Sequence, residues 1–352
     1  LPGFAVQSVG MGRRTYDQLN PAARVLWRGD RSVQLEMGER AIVLDSVPAE
    51  LVRALTSRGE PQRAAEAARG GDRLADVRTQ LVSAGFLWPR GDGTDDPRLQ
   101  PPDPRLTGEL TALHAQHGEE AARVLRARMA ATVTIHGDSR AGPHIAALLA
   151  ASGVGRVCAL AITEARLHQL QPGGLSAGEE GVPLSTATAA AVARAAPFTL
   201  TAAPPGTDRP DLVIIARDEP VDDDHRDSLH EHRWAHLPVS VTSSAAVVGP
   251  LVVPGLTSCL RCADLYRLDR DPGWTALAVQ LANQRRVRDS GSLAASTIVA
   301  GVAAAQALEF LDGPSVGRPA TFEGSLELVP GDWRLRRRTR PTHPDCGCLS
   351  AT

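Results

Sequence analysis

The chain has 352 residues, 38 basic and 40 acidic side chains and a formal net charge of −2, a balance that gives no broad electrostatic reason to expect nucleic acid or an anionic membrane as partner. Its length supports a full buried core and two domains. No lysine occurs, so cationic contacts fall to arginine, histidine or the N-terminus. No apolar run approaches the roughly 18 residues of a membrane span, and the opening residues lack a signal-type apolar stretch, so a cytoplasmic protein is expected.

Residues 1–18 read as an N-terminal arm. "VLW" (25–27), "VQLEM" (33–37) and "AIVLD" (41–45) then predict three short strands, with "RGD" and "MGE" as turns. In the second, Val33, Leu35 and Met37 share one face. Helices are expected over 48–57, 61–69 and 72–84, the first two opening on a proline. The third carries an apolar stripe of Leu74, Val77 and Leu81, Gly85 stops it, and "FLW" returns as a strand. Three strands and three helices fit a winged-helix domain over 19–88. Its basic candidates for DNA are only Arg63 and Arg69, with Glu60 and Glu66 nearby.

The segment 89–106, containing "PRGDGTDDPRLQPPDP", has no apolar period and reads as a linker. From 107 to 352 an α/β domain is expected. A helix near 109–129 leads to the strand "ATVTIHG" and the helix "AGPHIAALLAASG", the first part of a doubly wound, Rossmann-like sheet. Further strands are expected at 156–162, 211–216, 237–242 and 245–253. An alanine-rich helix lies between the first two, and a long helix covers 293–311. "DEPVDDDHRDSLHEH" reads as a loop entering a short helix.

The turn "HGDSRAG" places Gly137 and Gly142 at the outer positions of G-x-G-x-x-G, with Ser139 where bare backbone normally admits a phosphate. Glu164, at the end of the next strand, is a candidate for ribose hydroxyls, and Asp218 and Asp222 for magnesium. The competing reading is a packing turn, with the acids solvated or capping a helix. Ala141 breaks the G-x-S-x-G of a hydrolase elbow. His225, His230, His232 and His236 cluster beside Asp222, Asp223 and Asp224, either as a solvated loop or as a second metal site.

Five cysteines occur, four of them in two pairs: Cys259 and Cys262 in C-x-x-C, Cys346 and Cys348 around Gly347. Paired cysteines in a reducing compartment favour metal over disulfide, and four thiolates favour a structural zinc. The competing readings are a redox C-x-x-C or a site using His343 as a substitute ligand. Cys158, inside "VCALAI", is expected to be a buried strand residue.

Together these stretches resemble one family. The strand, "GDSRAG" turn and helix, then "HLPVSVTSSAAVVGPLVVPGLTSCLRCADLYRLDRDPGW", then "HPDCGC" are similar to the ThiF-like (ubiquitin-activating-type) proteins. The closer likeness is to their divergent branch in the biosynthesis of azoline-containing ribosomal peptides (TOMM), the cyclodehydratase or leader-binding proteins. It runs from about Leu19 to Cys348. Residues 20–59 are similar to the peptide-recognition winged helix of that branch (RiPP recognition element).

The resemblance implies that a precursor's leader docks as an extra strand on Ala41, Ile42, Val43, Leu44 and Asp45, beside a groove walled by Leu74, Val77 and Leu81. Active ThiF-like enzymes adenylate a carboxylate, using a glycine-rich turn, an acidic pair, an arginine and a lysine. Here Gly137, Ser139, Arg140, Gly142, Glu164, Asp218 and Asp222 form at most a vestigial Mg-ATP set, without lysine. With four cysteines on zinc and Cys158 buried, no thiol remains for a thioester. The implied protein is therefore a zinc-bearing, non-catalytic homodimer that presents precursor peptides to a YcaO-type cyclodehydratase. Alternatives are a ThiF-type adenylyltransferase, with Arg140 on phosphate and Asp218 or Asp222 on magnesium, and a zinc-containing winged-helix DNA-binding regulator.

Overall fold

The computed structural model describes residues 15–19, 23–28, 32–38, 41–46, 72–90, 103–203, 209–283, 291–314 and 317–349. Contacts divide the chain into two units, Leu1–Arg123 and Val124–Thr352. The sequence placed that division at 89–106, so the helix following the linker falls in the first unit instead.

In the first unit, β1 (Thr15–Leu19) lies mostly within the segment expected to be an arm. It is followed by β2 (Val25–Trp27), β3 (Ser32–Leu35) and β4 (Ile42–Asp45), by helix α1 (Asp72–Ser83) and by β5 (Leu87–Arg90). β1 pairs antiparallel with β5, while β2, β3 and β4 form an antiparallel sheet in that order. The expected face of the middle strand is only partly present. Val33 and Leu35 are buried, but the strand stops there because Glu36 turns to a positive φ, and Met37 is exposed.

α1 ends in a Schellman motif. Gly85 (φ +73) donates to Val82 and Phe86 to Leu81, the two bonds that satisfy the last carbonyls of a helix. Val33, Leu35, Leu44, Leu81, Phe86 and Leu87 form the core of this unit. The helices expected over 48–57 and 61–69 lie outside the described residues, as do Arg63 and Arg69. α2 (Thr107–His117) belongs here too. The single helix expected over 109–129 is divided at Gly118 (φ +55), and a second helix, α3 (Ala121–Ala130), follows a short 3₁₀ turn.

The second unit is built on a mixed seven-stranded sheet. Its strands are β6 (Thr132–His136), β7 (Arg156–Leu160), β8 (Leu212–Ala216), β9 (His236–Val241), β10 (Ala246–Val248), β11 (Gly324–Leu328) and β12 (Leu335–Thr339). The order is β12-β11-β10-β9-β8-β6-β7. The half from β7 to β9 is parallel, as a doubly wound sheet requires; from β9 to β12 it is an antiparallel meander, which the sequence reading lacked.

"LVIIA" of β8 is buried along its whole length, as expected of a central parallel strand covered on both faces. Leu212, Ile214 and Ala216 face α4 (Ala141–Ala151), α5 (Leu184–Ala195) and, further along the sheet, a long helix at Leu293–Asp312; Val213 and Ile215 face α6 (Asp223–Glu231). α7 (Leu260–Arg270) and α8 (Trp274–Asn283), neither of them anticipated, precede the long helix, which is α9. Ala295, Val299, Ala303 and Ala307 of α9 are core residues. By length and composition α9 is nevertheless apolar enough to cross a membrane, although polar residues interrupt its apolar run. Within this unit Arg128, on α3, makes a bidentate ion pair with Asp312 at 2.6 and 2.7 Å, both side chains at most 6% exposed.

Candidate functional site

Cys259 is the residue before α7 and Cys262 lies in its first turn; Cys346 and Cys348 approach from the C-terminal loop, where Gly347 adopts φ +67. The four sulfurs lie within 4.8 Å of one another, and they are the described His, Cys, Asp and Glu side chains that group closely enough to hold a metal ion. Three Sγ–Sγ separations are 3.4, 3.5 and 3.8 Å. A tetrahedral zinc with bonds of about 2.3 Å sets its sulfurs about 3.8 Å apart, so the cluster fits zinc after small shifts of the side chains.

Burial and neighbouring sulfurs push the Cys348 thiol up to about 11 and Cys346 higher still. Cys262 is lowered: burial opposes its ionisation, but hydrogen bonds from the backbone of His343 and Cys259 and from Cys346 and Cys348 outweigh it. A divalent cation would favour the thiolate form of all four.

The tail is lashed to α7 beside these sulfurs. Ser258 donates to the Arg340 carbonyl at 2.5 Å, and Tyr266 to that of Thr342 at 3.2 Å. His343 donates from Nε2 to Asp269 at 2.9 Å and accepts at Nδ1 from the Asp345 backbone at 3.1 Å. With both ring nitrogens engaged, His343 holds the loop and is not placed as a ligand.

β6 lies between β7 and β8, so the strand order reverses at its C-terminal end, where doubly wound sheets bind ligands. The glycine turn is there, but it closes on itself. Ser139 donates its backbone N–H to the Ala216 carbonyl at 3.1 Å, Gly142 donates to Ser139 at 3.0 Å, and the Gln169 amide donates to the Asp138 carbonyl at 2.6 Å. Ser139 is 2% exposed. Gly137 (φ +101) is required because a Cβ there would stand 2.3 Å from the Ala216 carbonyl oxygen. Cys158, on β7, is buried.

The other residues considered for nucleotide binding have local duties. Asp222 caps α6 through His225 N–H at 2.9 Å and pairs with Arg217 at 2.6 Å; Asp218 accepts from Val241 N–H at 2.9 Å. Glu164 is exposed beside its bridge to Pro183. A half-open cavity of about 680 Å³ lies over the face of β8 to β11 that carries Ile215, Pro238, Ser240, Val247 and Glu327, and Arg217, Arg267 and Arg340 are among its lining residues. Each is already held by a carboxylate, from Asp222, Asp264 and Glu327 respectively.

Of the residues assigned to a peptide groove, Leu44 and Leu81 are core, Ala41, Ile42 and Val77 are half-buried, and Val43 and Asp45 are exposed; Asp45 accepts from Ser32 at 2.7 Å. β4 is a free edge of its sheet among the described residues. Leu74 lies on α1.

The histidine cluster is not a solvated loop throughout, and it includes His136, which sequence reasoning missed. His136 Nδ1 and His225 Nε2 are 3.0 Å apart, with the rings stacked. Only the β6–α6 packing creates this pair, so no local motif could reveal it. Burial, then the neighbouring His225 and His236, lower His136 to about 4. The folded state thus resists protonation: its stability is full above about pH 6.5 and falls as pH drops toward 4, by roughly 3 kcal/mol from this ring. His136→Gln is expected to flatten that slope. Urea midpoints at pH 7, 5 and 4 check it, and equal slopes for both proteins would refute it.

No family model and no curated protein matches the chain in sequence. Solved structures match in fold. E. coli MccB with ATP aligns at a TM-score of 0.71 and 15% identity, over 94% of this chain and 98% of that one. The microcin C7 biosynthetic enzyme MccB in complex with N-formylated MccA aligns at 0.70 and 15%, over 94% and 99%. PaaA aligns at 0.58 and 14%, over 76% and 92%. The chain therefore has the MccB fold, in keeping with the ThiF-like fold its motifs imply; such low identity establishes fold, and function has to be argued from the site.

Proposed function

We propose that this chain is a non-catalytic, zinc-stabilised ThiF-like protein that binds the leader of a ribosomally made precursor peptide and presents it to a YcaO-type cyclodehydratase for azoline formation. The closed glycine turn carries the reading. Its Ser139 N–H and Asp138 carbonyl are bonded within the protein, where a nucleotide-binding turn would direct backbone N–H groups at phosphate. The ion-paired arginines of the large cavity and the absence of lysine support it further. The four cysteines hold zinc and the protein works in the cytoplasm.

The neighbour bound to N-formylated MccA supports peptide binding, since an N-formyl group marks a ribosomally initiated chain. In this reading residues 19–88, within the first unit, are a peptide-recognition winged helix. The leader adds a strand to the open edge of β4, with Val43 outward and Ile42 and Val77 lining the groove, while Leu44 and Leu81 support it from the core. Tethering the substrate raises its effective concentration at the partner enzyme.

Adenylyl transfer is the second reading, favoured by the likeness to MccB with ATP. Calorimetric titration of zinc-loaded protein with leader peptide, and separately with Mg-ATP, distinguishes them. Peptide heat without nucleotide heat is expected; ATP binding with pyrophosphate release would overturn the proposal, and duplex DNA binding would support the regulator instead.

The proposed homodimer pairs through the outward face of α9. Leu293, Ala294, Thr297, Ile298, Gly301 and Ala305 are exposed there and uncharged. A Cβ on Gly301 meets no atom within 4 Å, so Gly301→Trp is expected to keep the parent's circular dichroism spectrum and halve the mass seen by light scattering. A dimer that survives the substitution would exclude this face.

A further inference from the structure

A half-enclosed cavity of about 150 Å³ adjoins the cysteine cluster. Cys259, Cys346 and Cys348 form part of its wall, and His230 and His236 another part. His236 opens β9 and is 1% exposed. Its Nδ1 donates to the Trp234 carbonyl at 2.9 Å, whereas its Nε2 is buried and without a hydrogen-bond partner. An imidazole that gives its Nδ1 proton to a backbone carbonyl presents a lone pair at Nε2, which is the arrangement of a metal-ligating histidine. Leaving such a buried acceptor unpaired is unfavourable, so the arrangement calls for an explanation.

The backbone fixes His236 close to the sulfurs. His236 and Val252 exchange two hydrogen bonds, of 2.9 and 2.8 Å, and Val252 packs in one apolar cluster with Cys259, Cys262 and Cys348. Cys346 differs from the other three cysteines. It is the least buried, and it adjoins Gly347, at which a Cβ would meet no atom within 4 Å.

We propose that His236 is a reserve ligand of the metal centre: when Cys346 is removed or blocked, Nε2 of His236 takes the vacated position, and the centre persists on Cys259, Cys262, Cys348 and His236. The exchange breaks one metal–sulfur bond and forms one metal–nitrogen bond. The metal stays divalent, no electrons move, and the centre becomes one unit less negative because a neutral imidazole replaces a thiolate. His236 stands outside the compact sulfur group, so the C-terminal loop shifts during the exchange. Three thiolates and one imidazole form a common structural zinc set. The reserve ligand protects the fold from loss of its most accessible thiol.

The proposal rests on the cluster being a metal centre, and the test separates the two claims. Zinc content and cobalt(II) absorption are measured on the full-length parent, Cys346→Ser, His236→Ala and the double variant, with circular dichroism as a folding control. The parent and both single variants are expected to hold one metal per chain and the double variant none. Cobalt in Cys346→Ser is expected to show a weaker thiolate charge-transfer band and ligand-field bands moved to shorter wavelength. In the unmutated protein, alkylation of Cys346 is expected to leave the metal bound; the same treatment of His236→Ala releases it. Metal loss from Cys346→Ser, or retention by the double variant, overturns the reserve-ligand proposal. A metal-free parent overturns the metal centre itself.

Discussion

Cys262→Ser protein, expressed with ample zinc, is expected to be purified without stoichiometric metal and to melt roughly 10 °C below its parent. Cys262 is buried, it touches both Cys259 and Cys348, and it sits on a helix turn that cannot move independently of the core. A structural zinc contributes on the order of 10 kcal/mol in small metallo-domains. Losing even a third of that, at about 3 °C per kcal/mol for a domain of this size, gives the stated shift. Metal analysis and a thermal melt check it, with chelator-treated parent as the comparison. A variant that keeps its zinc and its melting temperature would mean that the sulfurs cluster without serving the fold. The contrast with Cys346→Ser, expected to stay loaded, follows from where each thiol lies.

Asp312→Ala is expected to cost about 3–5 kcal/mol, because it leaves the Arg128 guanidinium buried without the carboxylate that binds it in two places. Asp312 ends α9 and Arg128 lies on α3, so the pair joins positions 184 residues apart in the chain. Replacing both by apolar residues, as in Arg128→Met with Asp312→Leu, is expected to recover most of the loss, since the penalty comes from the stranded charge. Urea unfolding of the single and double variants measures both quantities. A single variant within 1 kcal/mol of the parent would show that water reaches the guanidinium.

What the sequence disclosed follows from how local each signal is. "LVIIA" announces a strand and Gly85 a helix end, because each depends on neighbours in the chain; C-x-x-C and C-x-C announce a shared centre through the chemistry of four thiols in two tight pairs. "LRRRT" of β12 and "TYDQL" of β1 carry no apolar alternation, and their strand character comes from pairing with β11 and β5. The glycine spacing at 137–142 located the turn, but only the fold shows that Ala216 and Gln169 bond to it. The pairing of His136 with His225, like that of Arg128 with Asp312, joins residues remote in sequence, which no periodicity encodes.

β12 ends the seven-stranded sheet, and all five of its residues are exposed. Arg336 pairs with Asp332, Arg338 with Glu327, and Arg337 donates to the carbonyls of Ala320 and Phe322. A second copy adding antiparallel to this edge in central register would set Arg336 opposite Arg338 and Arg337 opposite itself, a ladder of like charges that repels. Among the described residues this edge is open, and its row of arginines disfavours the addition of a second copy as a further strand.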